Sequence, residues 1–151
     1  MTTEVTFEYD RETIGKEVEV GSAEITPDRV AAYCAAVGET NPLYTDEAAA
    51  QAGPYGRLIA PPSIIQTFAL RGGPNPNVKF GNTSFHAGLH MDVKAPIFVG
   101  DTISVTADVK EVYAKTGRTG TMVFAVTRNF FRNQQGEVVA VTESSSVHRQ
   151  V

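Results

Sequence analysis

Gly38 to Asp46 read GETNPLYTD, and Leu58 to Leu70 read LIAPPSIIQTFAL. The first stretch follows a segment with strong helix-start chemistry. Thr26 can cap a helix, Pro27 suits its first turn, and Asp28 favours its positive end. Val30, Tyr33, Cys34 and Val37 then recur at helical spacing, and Gly38 is a natural stop. The loop beyond Gly38 can therefore present Glu39, Asn41 and Tyr44 toward one spot. The second stretch is apolar nearly all round from Pro61 to Leu70: beyond Ser63 near its start, Gln66 and Thr67 are the exceptions, which predicts a central rather than a superficial helix.

Working outward, Val18 to Ile25 predicts a short strand leading into the first helix. Asp46 to Ala52 predicts a short alanine-rich helix, closed by Gly53-Pro54, and Gly72 to Asn77 must be a loop. Beyond Gly81 the period changes. Ile103, Val105, Ala107 and Val109 alternate with Thr102, Ser104, Thr106 and Asp108, the pattern of a strand with one wet face. Phe85 to Lys94, Thr121 to Phe131 and Glu137 to His148 read as further strands. Thr116 to Gly120 marks one turn, and Asn133-Gln134-Gln135-Gly136 marks a hairpin. Helices first and antiparallel strands after predict an α+β fold in which the sheet wraps the apolar helix. No internal repeat or low-complexity tract is visible.

The chain has 151 residues, which predicts one domain over 1–151 with a core that needs neither disulfide nor metal. A net charge of −4 argues against nucleic acid as a partner. The lone Cys34 rules out an internal disulfide and fits a reducing compartment. With no basic-then-apolar leader and no long apolar run, the expectation is a cytoplasmic chain without a membrane partner.

GETNPLYTD, LIAPPS and the later KAPIFVGDTI (Lys94 to Ile103) together resemble the MaoC-like branch of the hot dog fold, from about Val18 to Arg149. The resemblance implies an antiparallel sheet wrapped around a long central helix, paired as a dimer. It also implies water addition or removal at a double bond beside a CoA or carrier-protein thioester. The family signature is similar to G-D-x-N-P-x-H-x-D followed by I-A-H-G.

This chain departs from that signature where the chemistry lies. Glu39 stands at the aspartate position, Tyr44 at the histidine position, and Pro61-Pro62 at the His-Gly pair. Hydration needs a base for water, an acid for the α-carbon and a donor for the thioester oxygen. Glu39 keeps a carboxylate on a longer arm, and a displacement of about 1 Å can cost on the order of a hundredfold in rate. Tyr44, with an ordinary pKa of about 10, is no base near neutrality. Pro62 has no N–H to offer. The altered pattern resembles the non-catalytic partner chains and N-terminal halves of double hot dog proteins, as do the A-P-P run and Phe85 to Gly88.

The catalytic candidates are thus Glu39 and Tyr44, both at changed positions, and the substrate-binding candidates are Asn41, Pro62, Ser63 and His86. Asn41-Pro42 reads first as a turn, and Ser63 first as a helix cap. Arg57 and Lys94 are candidate contacts for a CoA phosphate or an acidic carrier protein. His86 and His90 share a strand face but lie about 13 Å apart, too far for one ion, and no metal or cofactor is expected. His148 is expected to be exposed, and Cys34 to be a buried structural thiol.

Three functions follow. The first is an acyl-CoA- or acyl-carrier-protein-binding subunit, in a homodimer or in a heteromer with a catalytic MaoC-like chain. The second is a self-sufficient (R)-specific hydratase using Glu39. The third is a thioesterase, a class that often carries a carboxylate on or near the central helix, where Ile64 to Leu70 offers none.

Overall fold

A computed structural model of the chain describes residues 5–151. Five antiparallel strands form one sheet: β1 (Val18–Glu24), β2 (Thr83–Val93), β3 (Thr102–Gly117), β4 (Gly120–Arg132) and β5 (Val138–Arg149). Their order is β1-β3-β4-β5-β2, so β1 and β2 end the sheet. Three helices precede β2: α1 (Pro27–Val37), α2 (Pro42–Thr45) and α3 (Glu47–Ala52). A 3₁₀ helix, Pro62–Thr67, follows them. Among the described residues no helix is long and apolar enough to cross a membrane.

Residues paired across strands share a face. Val105, Phe131, Ala140 and Val93 form one such row, and Ala107, Asn129, Thr142 and Met91 form the next. The 3₁₀ helix packs on this face. Phe68, just beyond its end, meets Phe131 with ring centroids 6.0 Å apart, and Ile64 and Ile65 are buried beside them. Burying each isoleucine contributes about 1.5–3 kcal/mol.

The apolar segment is central, as its composition predicts, but the long helix is not formed. It turns as a 3₁₀ helix for six residues and becomes extended at Phe68. One cause is local: the Thr67 hydroxyl donates to the Ile64 carbonyl at 2.6 Å, competing with the helical ladder. From there the chain joins β1, where the Arg71 N–H donates to the Val20 carbonyl at 2.8 Å.

Two further expectations change. Asp108 lies on the face read as wet but is only 2% exposed. Arg128 on β4 forks onto it, Nε and Nη2 donating at 2.8 and 2.7 Å, and this charge-assisted pair lets the carboxylate be buried. His148 is half-buried on β5, paired with the buried Val123 on β4, and burial pushes its imidazole below the ordinary range.

Candidate functional site

The site begins with α1, which sets where the loop emerges. Thr26 Oγ1 accepts from the Arg29 N–H at 3.1 Å to cap its start. Gly38 closes the other end with φ of +73°, a conformation that favours glycine. The N–H groups of Gly38 and Glu39 both donate to the Cys34 carbonyl, so the loop leaves in a fixed direction.

Within the loop, polar side chains are used on the backbone. Glu39 Oε1 accepts from the Asn41 N–H at 2.9 Å. Asn41 Oδ1 accepts from the Leu43 N–H at 3.0 Å and caps α2, a helical turn that the Asn-Pro pair had suggested only as a turn. Asp46 Oδ1 accepts from the Ala49 N–H at 3.2 Å and caps α3.

Two recesses flank this loop. The larger, about 420 Å³, lies between α1 and the loop, with Val30, Cys34, Glu39, Tyr44, Leu58 and Val99 in its walls. The smaller, about 280 Å³, is framed by Tyr44, Tyr55, Pro62, Val93, Lys94 and Ile97. Between them runs a short ribbon. Ile59 bridges Phe98, the Ala60 N–H donates to the Ile97 carbonyl at 2.7 Å, and the Val99 N–H donates to the Leu58 carbonyl at 3.1 Å.

The structure thus brings Glu39 and Tyr44 to one recess, and Tyr44 and Pro62 to the other. Burial, followed by the nearby Glu39 charge, raises the Tyr44 phenol above its ordinary pKa, so at neutral pH it is a neutral donor or acceptor and not a base. Burial also pushes the Cys34 thiol up, with Glu39 adding to it, which leaves Cys34 a protonated, unreactive wall. Pro62 opens the 3₁₀ helix without an N–H.

Ser63 does not cap that helix. Its hydroxyl lies 2.6 Å from the Tyr33 hydroxyl and ties α1 to the 3₁₀ helix. His86 stands apart from both recesses, exposed on β2, with Nδ1 3.4 Å from Ser144 Oγ. Lys94 lines the smaller recess but is half-exposed and paired with Asp92 at 2.6 Å. Arg57 lies over the Phe98 ring, 3.8 Å from its centroid. Tyr55 was not anticipated in the recess. Its only sequence signal is an aromatic residue inside the Gly53-Pro54-Tyr55-Gly56 turn.

The antiparallel sheet packed on a buried apolar segment, with an Asn-Pro loop set against it, defines a MaoC-like hot dog domain. The chain belongs to the FAS1-like dehydratase domain region family, whose model matches residues 12–142. It is 32% identical over 123 residues to a probable enoyl-CoA hydratase alpha subunit of Thermomonospora curvata, covering 70% of this chain and 39% of that protein. It is also 30% identical over 100 residues to a UPF0336 protein of Streptomyces avermitilis, covering 62% of this chain and 66% of that one. The chain therefore spans less than two thirds of the length of either relative. Among solved structures, the ChsH1-ChsH2 complex of Mycobacterium tuberculosis superposes with a TM-score of 0.70 at 19% identity, over 90% of this chain and 84% of the other.

Proposed function

We propose that this chain is an acyl-thioester-binding subunit of a (3R)-hydroxyacyl dehydratase or enoyl-CoA hydratase assembly, in which a partner MaoC-like chain supplies the catalytic aspartate and histidine. The observation that carries this reading is Tyr44. At the family's histidine position stands a phenol whose pKa is raised rather than lowered, in a recess whose helix start is the N–H-less Pro62. The site keeps a place for a ligand, but its Tyr44 supplies no base for water near neutral pH where the family signature has a histidine. The thioester can be carried by CoA or by an acyl carrier protein.

A partner fits the sheet. β2 ends it, and Phe85, Leu89 and Val93 along this edge are 47%, 49% and 44% exposed. An unpaired edge with apolar side chains is a template for a further strand. The name of the Thermomonospora relative, an alpha subunit, describes a protein that works with another chain. The ChsH1-ChsH2 complex joins two chains, one of which shares this fold. The position of Glu39 on the larger recess favours one alternative, a hydratase that uses Glu39 itself.

Hydration of crotonyl-CoA and longer enoyl-CoAs by the purified chain tests both. The expected result is no turnover alone, and turnover once the chain is co-expressed with a catalytic MaoC-like chain. Turnover by the chain alone that disappears in Glu39→Gln would overturn the subunit reading.

A further inference from the structure

We propose that the Tyr44 ring is the limit on acyl length, closing the larger recess off from the smaller one. This deepens the thioester-binding reading and rests on it. The backbone ribbon of residues 58–60 and 97–99 divides the two recesses. Ile59, Ala60 and Ile97 line the smaller recess, and Leu58 and Val99 line the larger. That part of the wall is fixed by hydrogen bonds between main-chain groups. Of the residues that line them, Tyr44 alone is common to both spaces, and it is carried on the single turn of α2.

The two sides differ in chemistry. The smaller recess has apolar walls too, but it also carries Tyr55 and the Lys94 ammonium, ion-paired with Asp92 and half-exposed, and it suits the polar thioester end of a ligand. The larger one has Glu39 and Thr45 in its walls, but Pro27, Val30, Ala31, Leu58 and Val99 make most of its lining apolar, and that part suits an alkyl chain. With the ring in place, an acyl chain entering beside Lys94 stops at Tyr44. With the ring removed, the chain has an apolar space of about 420 Å³ ahead of it. Each methylene that enters apolar surroundings should then tighten binding about fourfold.

The test is calorimetric binding of saturated acyl-CoAs from butyryl to dodecanoyl, which cannot be hydrated. The protein is used with its copurifying partner if it has one. For the natural chain, affinity is expected to rise with length and then level off early. Tyr44→Ala and the better-packed Tyr44→Leu are expected to move that plateau out by several carbons, giving a tenfold or greater gain at decanoyl-CoA. Tyr44→Phe keeps the ring and should keep the natural plateau. Adding Val99→Phe to Tyr44→Leu refills the larger recess and should cancel the gain.

An unmoved plateau in folded Tyr44→Leu that still binds butyryl-CoA overturns this proposal and leaves thioester binding standing. A gain that survives Val99→Phe also overturns it, because the chain would then lie elsewhere. Failure of every acyl-CoA, and of the same acyl groups carried on an acyl carrier protein, to bind the natural protein overturns the thioester-binding reading, and this inference with it.

Discussion

Replacing Glu39 separates its two possible roles, because the structure gives them opposite signatures. Glu39 Oε1 accepts the Asn41 N–H at 2.9 Å, directly before the residue that caps α2. A net hydrogen bond of this kind contributes about 0.5–1.5 kcal/mol. Glu39→Gln retains a carbonyl oxygen on the same arm, so the bond survives and the cost stays below about 0.5 kcal/mol. Glu39→Ala removes the acceptor in a loop that water can reach, costing about 1 kcal/mol. For a chain of this size that is roughly 2–4 °C in Tm. Thermal melts of the three proteins should therefore order as natural ≈ Gln > Ala. Crotonyl-CoA hydration by the assembly reconstituted with its catalytic partner should change less than about twofold in Glu39→Gln. Loss of a general base costs about 10² to 10⁴ in rate, so the two roles differ by far more than assay error. Hydration lost in Glu39→Gln with an unchanged melt would refute a purely structural role, and a Glu39→Ala melt equal to the natural one would refute the structural role itself.

Three further outcomes test the fold around the site. Asp108→Ala leaves the Arg128 guanidinium without its forked partner. Because Arg128 still reaches solvent, the loss in urea unfolding should be about 2–3 kcal/mol, below that of a fully buried pair. Gly81→Ala adds a Cβ that strikes the Arg149 carbonyl at a backbone φ of +70°, and should lower stability by more than about 2 kcal/mol. His148 has its pKa depressed by burial, so the unfolded chain binds its proton more readily than the folded one. Its contribution to stability is full above the ordinary value near 6.5 and is lost as pH falls through the lower folded value. His148→Gln should flatten the fall in Tm between about pH 7 and pH 5 relative to the natural chain, and an identical pH profile would remove His148 as its source.

What could be read in the sequence was written locally. The limits of α1 follow from Thr26, Pro27 and Gly38, each of which acts within one turn of its own position. The strands follow from alternation, and the β4–β5 hairpin from Asn133 and Gly136. What could not be read depends on distant partners. Asp108 is buried because Arg128 comes from the next strand, and Ser63 is occupied by Tyr33, thirty positions earlier. The smaller recess gathers Tyr44, Tyr55, Pro62 and Lys94 from separate segments, so no single stretch announces it. The short 3₁₀ helix is an intermediate case. Thr67 is visible in the sequence, but apolar composition measures burial and not the number of turns.

The retention of a hydratase-like loop is no argument for hydratase chemistry in this chain. Glu39, Asn41 and Asp46 each have a backbone hydrogen to hold, and these bonds fix α2 and α3 whether or not a substrate is present. The loop would keep its shape for folding alone. Chemistry needs more than that shape: a base near neutrality and a donor where the thioester oxygen lies. Tyr44 has moved away from the first requirement, since burial and the Glu39 charge both favour its neutral form. Pro62 cannot meet the second at its own position, since it has no N–H. Restoring only one of these groups, as in Tyr44→His, leaves the other requirement unmet, and turnover by the single variant is not expected. What remains is two recesses with Tyr44 in the walls of both, and an exposed strand edge on which a second chain can build.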